Sequence, residues 1–296
     1  LKGEYEKNIL KVLNGKDGVF NHDLLTKEEM NEAPLPYYDK NIYDKYFDGN
    51  PIPMNNLYPQ AHIWSSRGCP FKCIFCVWPA AMTGNDPHGD GKRSVRQYTP
   101  DYIENFVREI TGRFKFKAIY FDDDTFNIGN KHTEKMSEVM SKFNIPWFAM
   151  CRADTSKKET WKTMSESGCL GVKLGVESGS QVVVDKIVNK HLDLKYVQEV
   201  VSYIRSLDMS VHGTFTYGLP GETKEDMIMT KKFINDTNFS TVQESGTAEI
   251  EGTPLHTLIN EEKLATYPGA IADKNYDRQK DGGKKWQSLV KELQNN

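Results

Sequence analysis

The amino-acid sequence predicts an α/β fold in which six parallel strands alternate with helices. From residue 60 onward, six short strand patterns alternate with amphipathic helix patterns at a spacing of roughly 30–40 residues, which is typical of parallel strands joined by right-handed crossovers. In addition, the chemically unusual residues fall directly after five of these strands, as in folds whose active site lies at the carboxyl ends of the strands. The pattern alone leaves two arrangements open, a doubly wound sheet and a barrel.

The strands are predicted from apolar and β-branched runs that lead into polar or glycine-containing loops. A cysteine-rich loop follows the first strand, and the fifth strand runs into a Gly-Pro loop. In chain order the six segments are AHIWSSR (61–67), KAIYFDDD (117–124), PWFAMCRAD (146–154), GVKLGVES (171–178), SVHGTFTYGLPGET (210–223) and TVQESGTAEIEGT (241–253).

The helices are predicted from apolar residues at helical spacing and from capping residues. Thr99 is expected to cap a helix that has Pro100 in its first turn. A capping box of Ser156 and Glu159 is expected to begin another helix, which ends at Gly168. The remaining helices are predicted at 131–143, through Val183 and Ile187, after caps at Asp193 and Thr223, and through Trp286, Leu289, Val290 and Leu293.

Composition narrows the class of protein. The chain has 296 residues, of which 38% are hydrophobic and 27% are charged, an ordinary balance for a globular protein with a sizeable core. A net charge of −3 argues against broad nucleic-acid binding. No apolar run reaches the roughly 18 residues of a membrane span, and no signal-peptide pattern is seen. Five cysteines, three of them within eight residues, argue against a disulfide framework, so we expect a cytoplasmic protein.

Three cysteines stand close together in the stretch SSRGCPFKCIFCVWP (65–79). Cys69, Cys73 and Cys76 could bind a soft metal or an iron–sulfur cluster, because thiolates are good ligands for both. A structural zinc ion needs four ligands, and no second ligand pair follows in the sequence. Three buried thiols that bind nothing are a further alternative, but their close clustering favours an iron–sulfur cluster. His62, Cys151 or Cys169 could supply a fourth ligand only if the fold brings one of them to the cysteine loop.

The spacing C-x-x-x-C-x-aromatic-C, placed after the first strand of a βα series, resembles the signature of the radical SAM superfamily. This resemblance implies a [4Fe–4S] cluster on Cys69, Cys73 and Cys76, with S-adenosylmethionine (SAM) bound to the fourth iron and Phe75 against the adenine. It also implies a partial (β/α)6 barrel of parallel strands. The activity implied is reductive cleavage of SAM to a 5′-deoxyadenosyl radical, which abstracts a hydrogen atom from a substrate.

Two further segments resemble SAM-binding segments of that superfamily. The segment GVESGS implies SAM contacts by Glu177 and Ser178, since a carboxylate can accept hydrogen bonds from ribose hydroxyls or an ammonium group. Alternatively, Glu177 caps the following helix. The segment FDDDTF implies contacts of Asp123 and Asp124 with the methionyl ammonium group, unless these carboxylates belong to a solvated loop.

The same resemblance extends to the third and fifth strands. Arg152, in CRAD, is expected to pair with the SAM carboxylate, because guanidinium grips carboxylate through two hydrogen bonds. A surface ion pair is the alternative. The segment TYGLPGET implies a close backbone approach to adenine at Gly218 and Gly221, although an ordinary Gly-Pro turn explains these residues equally well.

Segments along most of the chain resemble the core of cobalamin-dependent radical SAM enzymes, and the start resembles the junction that follows their cobalamin-binding domain. One departure is IEGTP, where that group usually has a Pro-x-Pro-Gly-Thr segment. We therefore predict an N-terminal helix and linker at 1–58, a radical SAM barrel at 59–258 and a C-terminal extension at 259–296. At most about 55 residues precede the barrel, too few for a cobalamin domain. No Asp-x-His-x-x-Gly motif is present, so cobalamin is not expected to bind this chain alone.

These features predict a radical SAM enzyme that acts on a small-molecule or peptide substrate and takes electrons from a reductant such as flavodoxin or ferredoxin. Neither a membrane nor a nucleic acid is expected as a partner, and no residue is singled out as catalytic. One alternative is a cobalamin-dependent methyltransferase whose cobalamin domain lies outside this chain. Another is a non-catalytic module that binds zinc or a cluster.

Overall fold

Six parallel strands form the central sheet of the computed structural model, which describes residues 3–18, 24–45, 57–82, 86–261, 288 and 291–293. A second, two-stranded antiparallel sheet is formed by β2 and β3. In chain order the strands are β1 Gln60–Ile63, β2 Ser66–Arg67, β3 Arg96–Gln97, β4 Ala118–Phe121, β5 Trp147–Cys151, β6 Cys169–Glu177, β7 Ser210–Tyr217 and β8 Thr241–Gly246.

The strand order decides between the two arrangements left open by the sequence. The large sheet runs β1-β4-β5-β6-β7-β8, and each adjacent pair is parallel. Each strand therefore lies beside the next parallel strand of the chain, without the reversal of order that marks a doubly wound sheet. Within the described residues β1 and β8 are the edges, so the arrangement is an open, partial barrel. The predicted α/β class with six parallel strands is confirmed.

Helices connect the strands, and most of their predicted caps are present. Thr99, Asp193 and Thr223 each accept hydrogen bonds from the first turn of their helix. No helix in the described part of the chain is long and apolar enough to cross a membrane. The helices are α1 Ile9–Leu13, α2 Lys27–Glu32, α3 Trp78–Met82, α4 Pro100–Arg113, α5 Asn130–Met140, α6 Lys158–Glu166, α7 Leu194–Ser206, α8 Lys224–Asp236 and α9 Pro254–Asn260.

The prediction of a capping box at Ser156 is wrong. Helix α6 has Lys157 at its N-cap, and no side chain caps it. The Ser156 hydroxyl instead accepts a hydrogen bond of 3.0 Å from the Asn127 amide, which also donates to the Arg152 carbonyl at 2.8 Å. The Ser156 hydroxyl, which the sequence pattern assigned to the cap of this helix, is therefore engaged in a tertiary contact instead.

One other predicted helix differs from expectation, and another falls largely on residues that the structure does not describe. The turn after β6 is a short π-helix at Val183–Ile187 rather than an α-helix. The predicted C-terminal helix falls mostly on residues that the structure does not describe. Its described residue Leu293 is helical and buried, with 2% of its surface exposed.

The core lies between the helices and the outer face of the sheet. Large side chains from β4, β5 and α6 fill it without measurable exposure, among them Phe121, Trp147 and Trp161. The inner face of the sheet has a much smaller apolar cluster, formed by Ala118, Tyr120 and Phe148. Because most of the apolar burial is on the helix side, the inner face is left for polar residues and a cavity.

The N-terminal segment docks against the small sheet beside the cysteine loop. The Glu4 carboxylate, 2% exposed, pairs with Arg96 at 2.8 Å and with Arg67 at 3.3 Å. It also accepts a hydrogen bond from the Leu25 amide, and these partners hold its pKa below the usual value against the opposing effect of burial. The boundaries predicted near residues 58 and 258 stay predictions.

Candidate active site

A cavity of about 440 Å³ opens at the carboxyl ends of the sheet strands, a volume within the usual range of ligand pockets. The cysteine loop forms one side of it, and the inner faces of β6, β7 and β8 form the other. Seven of the eleven residues predicted for the site line this cavity, namely Cys69, Cys73, Phe75, Cys76, Asp124, Arg152 and Glu177. The structure therefore brings together residues from four of the five strand ends at which the sequence places unusual residues.

The cysteine loop is fixed by backbone contacts on two sides. The Ile74 amide donates to the Val188 carbonyl at 3.1 Å, and the Ile74 carbonyl accepts from the Leu255 amide at 3.0 Å. Ile74 packs in a separate apolar cluster with Val188, Leu219 and Leu255. This cluster anchors the middle of the loop and thereby helps to position Cys73 and Phe75.

Gly68 sets the start of the loop. Its φ of +93° lies in a region that side-chain-bearing residues rarely adopt, and a Cβ there would come within 2.2 Å of the Ser94 carbonyl oxygen. Its amide donates to the Asp124 carboxylate at 2.9 Å. The residue before Cys69 must therefore be glycine, and Asp124 fixes the loop from the end of β4.

The environments of the thiols separate the loop cysteines from the other two. Burial raises the pKa of both Cys73 and Cys76, while nearby cations oppose the rise. The Cys69 sulfur lies 3.5 Å from the Thr125 hydroxyl. Cys151 lines the cavity but packs in the core, where burial and the neighbouring Cys169 raise its thiol pKa. The three loop thiols are therefore the candidate donor set, and Cys151 differs from them by its burial in the core.

The candidate donor set fits an iron–sulfur cluster, because thiolates are the usual protein ligands of such clusters. Among the residues that the structure describes, no three His, Cys, Asp or Glu side chains surround a point that could hold one ion. Three thiols instead line a shared cavity beside Arg152 and Lys190, whose positive charges suit a multi-thiolate cluster. The fourth position would then be open to a small ligand from the cavity.

Asp123 takes a different place from Asp124. Its carboxylate is buried and accepts hydrogen bonds from Ser65 and Ser66 at 2.5–3.1 Å. Burial raises its pKa to about 6 despite these bonds. Asp123 does not line the cavity, so the structure places it as a support for the strand end that leads into the cysteine loop.

Glu177 faces the cavity as half of a buried ion pair. Its Oε1 lies 2.8 Å from the Lys190 ammonium nitrogen, and each side chain is only 10% exposed. Its Oε2 accepts a bond of 3.3 Å from the Thr216 hydroxyl. Glu177 has a φ of +76°, unusual for a residue with a side chain, at the point where the β6–β7 register shifts. A backbone held in this conformation is typical of functional sites.

Lys190 is the main site residue that the sequence did not indicate. It lies between Asn189 and His191, which have φ values of +58° and +50°. The Asn189 amide donates to the Lys72 carbonyl at 3.0 Å, which joins this turn to the cysteine loop. Asn189 could have indicated a turn at this point of the sequence, because asparagine tolerates the left-handed conformation better than most residues. No local pattern indicates that the neighbouring lysine points at the cavity.

Arg152 is engaged inside the site and not on the surface. It pairs with Asp154 through Nε at 2.5 Å and donates to the Lys190 carbonyl at 2.6 Å. Its guanidinium carbon lies 3.7 Å from the centroid of the Phe71 ring, a close cation–π contact. The surface alternative is thus wrong, whereas a contact with a ligand carboxylate stays a prediction.

The other predicted contacts are outside the cavity lining. Ser178 is fully buried and its hydroxyl lies 2.9 Å from that of Thr230 on α8. The amides of Gly218 and Leu219 donate to the Glu222 carboxylate at 2.6 and 3.1 Å, which closes the turn after β7. Neither Gly218 nor Gly221 lines the cavity, so their predicted SAM contacts gain no support from the geometry.

Gly175 leaves room for the ion pair of Glu177 and Lys190 because it has no side chain. A Cβ there would lie 2.6 Å from the Glu177 oxygen and 2.8 Å from the Lys190 nitrogen. We expect Gly175→Ala to displace this pair and to weaken SAM binding at least about tenfold, as loss of one charged hydrogen bond would. Equilibrium binding of SAM measures this. Gly112→Ala is the matched control, because a Cβ at Gly112 meets nothing within 4 Å. Equal SAM affinities of the two variants would contradict the prediction.

Comparison with known proteins shows which family and which relatives the chain resembles. A sequence profile of the Radical SAM superfamily matches residues 65–234. The cytidylyl-2-hydroxyethylphosphonate methyltransferase of Streptomyces wedmorensis is 26% identical over 242 residues, which are 77% of this chain and 43% of that protein. An uncharacterized methyltransferase of Pyrococcus horikoshii, PH0819, is 28% identical over 234 residues, 77% of this chain and 46% of that protein. The chain thus spans a little under half of the length of these relatives.

A solved structure shows the same fold. The radical S-adenosylmethionine methyltransferase TsrM of Kitasatospora setae superposes with a TM-score of 0.61 at 17% identity, covering 71% of this chain and 40% of that chain. The profile match spans the cysteine loop, the Glu177 segment and most of the sheet. The predicted resemblance and partial barrel are confirmed, and the chain belongs to the radical SAM superfamily.

Proposed function

We propose that this chain is the catalytic barrel of a radical SAM enzyme that abstracts a hydrogen atom from a small-molecule or peptide substrate. The observation that carries the proposal is the single cavity shared by three loop thiols, Phe75 and the buried pair of Glu177 and Lys190. Cys69, Cys73 and Cys76 would hold a [4Fe–4S] cluster. When bound and reduced, this cluster with SAM would provide a 5′-deoxyadenosyl radical.

In this proposal the residues of the chain bind and orient SAM. Glu177 offers a carboxylate to the ribose hydroxyls or ammonium group of SAM, and Lys190 holds that carboxylate in place. Phe75 offers an apolar ring to the adenine. The low exposure of Glu177 and Lys190 limits water in the part of the cavity where a reactive radical would form.

The decisive experiment is anaerobic reconstitution with iron and sulfide, followed by reduction with flavodoxin or dithionite in the presence of SAM. We expect a brown protein that forms 5′-deoxyadenosine, measured by liquid chromatography and mass spectrometry. The control is Cys169→Ala, which removes a buried thiol outside the donor set. A wild-type chain that takes up no iron, or that leaves SAM intact, would contradict the proposal.

A methyl transfer assisted by cobalamin is the second candidate. It is favoured by the names of the two methyltransferase relatives and by the structure of TsrM described with cobalamin and a [4Fe–4S] cluster bound. In this case the corrin would have to reach the cavity from a part not included in these 296 residues.

We expect the 296-residue chain alone to retain no cobalamin. About 55 residues before the barrel are too few for a domain that could enclose a corrin. The chain is incubated with methylcobalamin and passed through a desalting column, and the corrin absorbance of the protein fraction is measured. A cobalamin-binding protein treated in parallel serves as the positive control. Stoichiometric corrin in the protein fraction would overturn this expectation.

A further inference from the structure

The thiols of the cysteine loop differ in the polar group that lies beside each of them. The Cys76 sulfur accepts a hydrogen bond from the backbone amide of Trp78, a group that can only donate. The Cys69 sulfur instead lies 3.5 Å from the Thr125 hydroxyl oxygen. A hydroxyl both donates and accepts, so the direction of this second contact depends on whether Cys69 carries its own hydrogen.

The fold holds Thr125 beside Cys69. Both residues line the cavity, and Thr125 is only 6% exposed. The residues that precede them are also joined, because the Gly68 amide donates to the Asp124 carboxylate at 2.9 Å. The contact of Thr125 with Cys69 therefore belongs to a longer junction between the end of β4 and the start of the cysteine loop.

The hydroxyl of Thr125 has a single hydrogen to donate. It also lies 2.6 Å from the Asp124 carbonyl oxygen, which accepts that hydrogen while the Cys69 thiol donates its own to the Thr125 oxygen. A thiolate that ligates a metal has no hydrogen, so any hydrogen bond between the two side chains must then be donated by the hydroxyl. A hydrogen bond to a charged acceptor is roughly twice as strong as one to a neutral acceptor such as a carbonyl.

We propose that the Thr125 hydroxyl donates a hydrogen bond to the Cys69 sulfur when an iron–sulfur cluster is bound, and that this bond raises the reduction potential of the cluster. The inference rests on the proposed function, because it takes Cys69 as a cluster ligand. Reduction adds negative charge that the ligand sulfurs share, so a donor at one sulfur stabilises the reduced form more than the oxidised form. Thr125 would thus make the cluster easier to reduce.

The test is a redox titration of the reconstituted chain without SAM, monitored by electron paramagnetic resonance. Thr125→Val keeps the shape of the side chain without the hydroxyl. We expect its equilibrium constant for one-electron reduction to fall about tenfold, a decrease of about 59 mV in midpoint potential. Thr125→Ser keeps the hydroxyl and should keep the potential. Thr133→Val is the matched control, since Thr133 is buried on α5, lies 3.3 Å from the Gly129 carbonyl and does not line the cavity.

A second measurement identifies the hydrogen bond itself. Resonance Raman spectra of the oxidised cluster are recorded in water and in deuterium oxide, because a hydrogen bond to a ligand sulfur makes the iron–cysteine stretching bands sensitive to this exchange. We expect a smaller isotope shift in Thr125→Val than in the wild type and in Thr125→Ser. A potential that changed only because the cavity had rearranged would leave the isotope shift as it is in the wild type.

The outcomes separate this inference from the proposed function. Iron content is measured on every variant and should equal that of the wild type. The inference is overturned if Thr125→Val keeps the wild-type potential or isotope shift, if Thr125→Ser loses as much potential as Thr125→Val, or if Thr125→Val fails to bind the cluster that Thr133→Val binds. Absence of iron from the wild type would instead refute the proposed function.

Discussion

Replacement of Cys73 by alanine is expected to reduce the iron bound after reconstitution from about four atoms per chain to nearly none. Cys73 is one of three thiols that line the cavity, and two remaining thiolates would leave two corners of a cubane without protein ligands. The barrel should still fold, because Cys73 packs only at the edge of the small cluster around Ile74 and takes no part in the large core.

Iron analysis and the visible absorption of the reconstituted protein measure this loss, and circular dichroism monitors the fold. Cys169→Ala is the matched control, since that thiol is buried and bonded to the Gly171 carbonyl outside the cavity. The control should bind iron as the wild type does. Wild-type iron content in Cys73→Ala would show that these thiols are not the ligands.

The cysteine loop and the alternation of six strands with helices could be predicted because each depends on local sequence. The order of the strands in the sheet could not, since periodic patterns do not determine which strands lie side by side. Three thiols in eight residues lie close together in any compact loop, and periodic patterns predict the strands and helices themselves. These features therefore follow from short stretches of chain.

Lys190 could not be predicted because its contact with Glu177 arises from tertiary placement. Lys190 reaches Glu177 only because the π-helix and the turn around Asn189 bring the chain back over the cavity. Ser178 shows the opposite case, since it matches a SAM-binding segment but is bonded to α8.

Replacement of Glu177 by glutamine is expected to weaken SAM binding by one to two decades. A hydrogen bond to a charged group contributes about 1.5–3 kcal/mol, and glutamine keeps the shape of the side chain without its charge. The same change leaves Lys190 buried without its carboxylate, so the free energy of unfolding should fall by about 3–5 kcal/mol. Anaerobic equilibrium binding of SAM and chemical denaturation measure the two effects separately.

A second ion pair in the same protein shows whether weaker SAM binding merely follows from lower stability. Glu244 on β8 pairs with Lys231 on α8 at 2.7 Å with 18% and 16% side-chain exposure, and it does not line the cavity. We expect Glu244→Gln to lower the free energy of unfolding as well, but to leave SAM affinity unchanged. The double variant Glu177→Gln with Lys190→Met should recover stability, because no buried charge is left unpaired, yet it should still bind SAM weakly. If Glu177→Gln and Glu244→Gln bind SAM equally well, Glu177 is a structural residue of the strand end and the SAM site must lie elsewhere on the cavity wall.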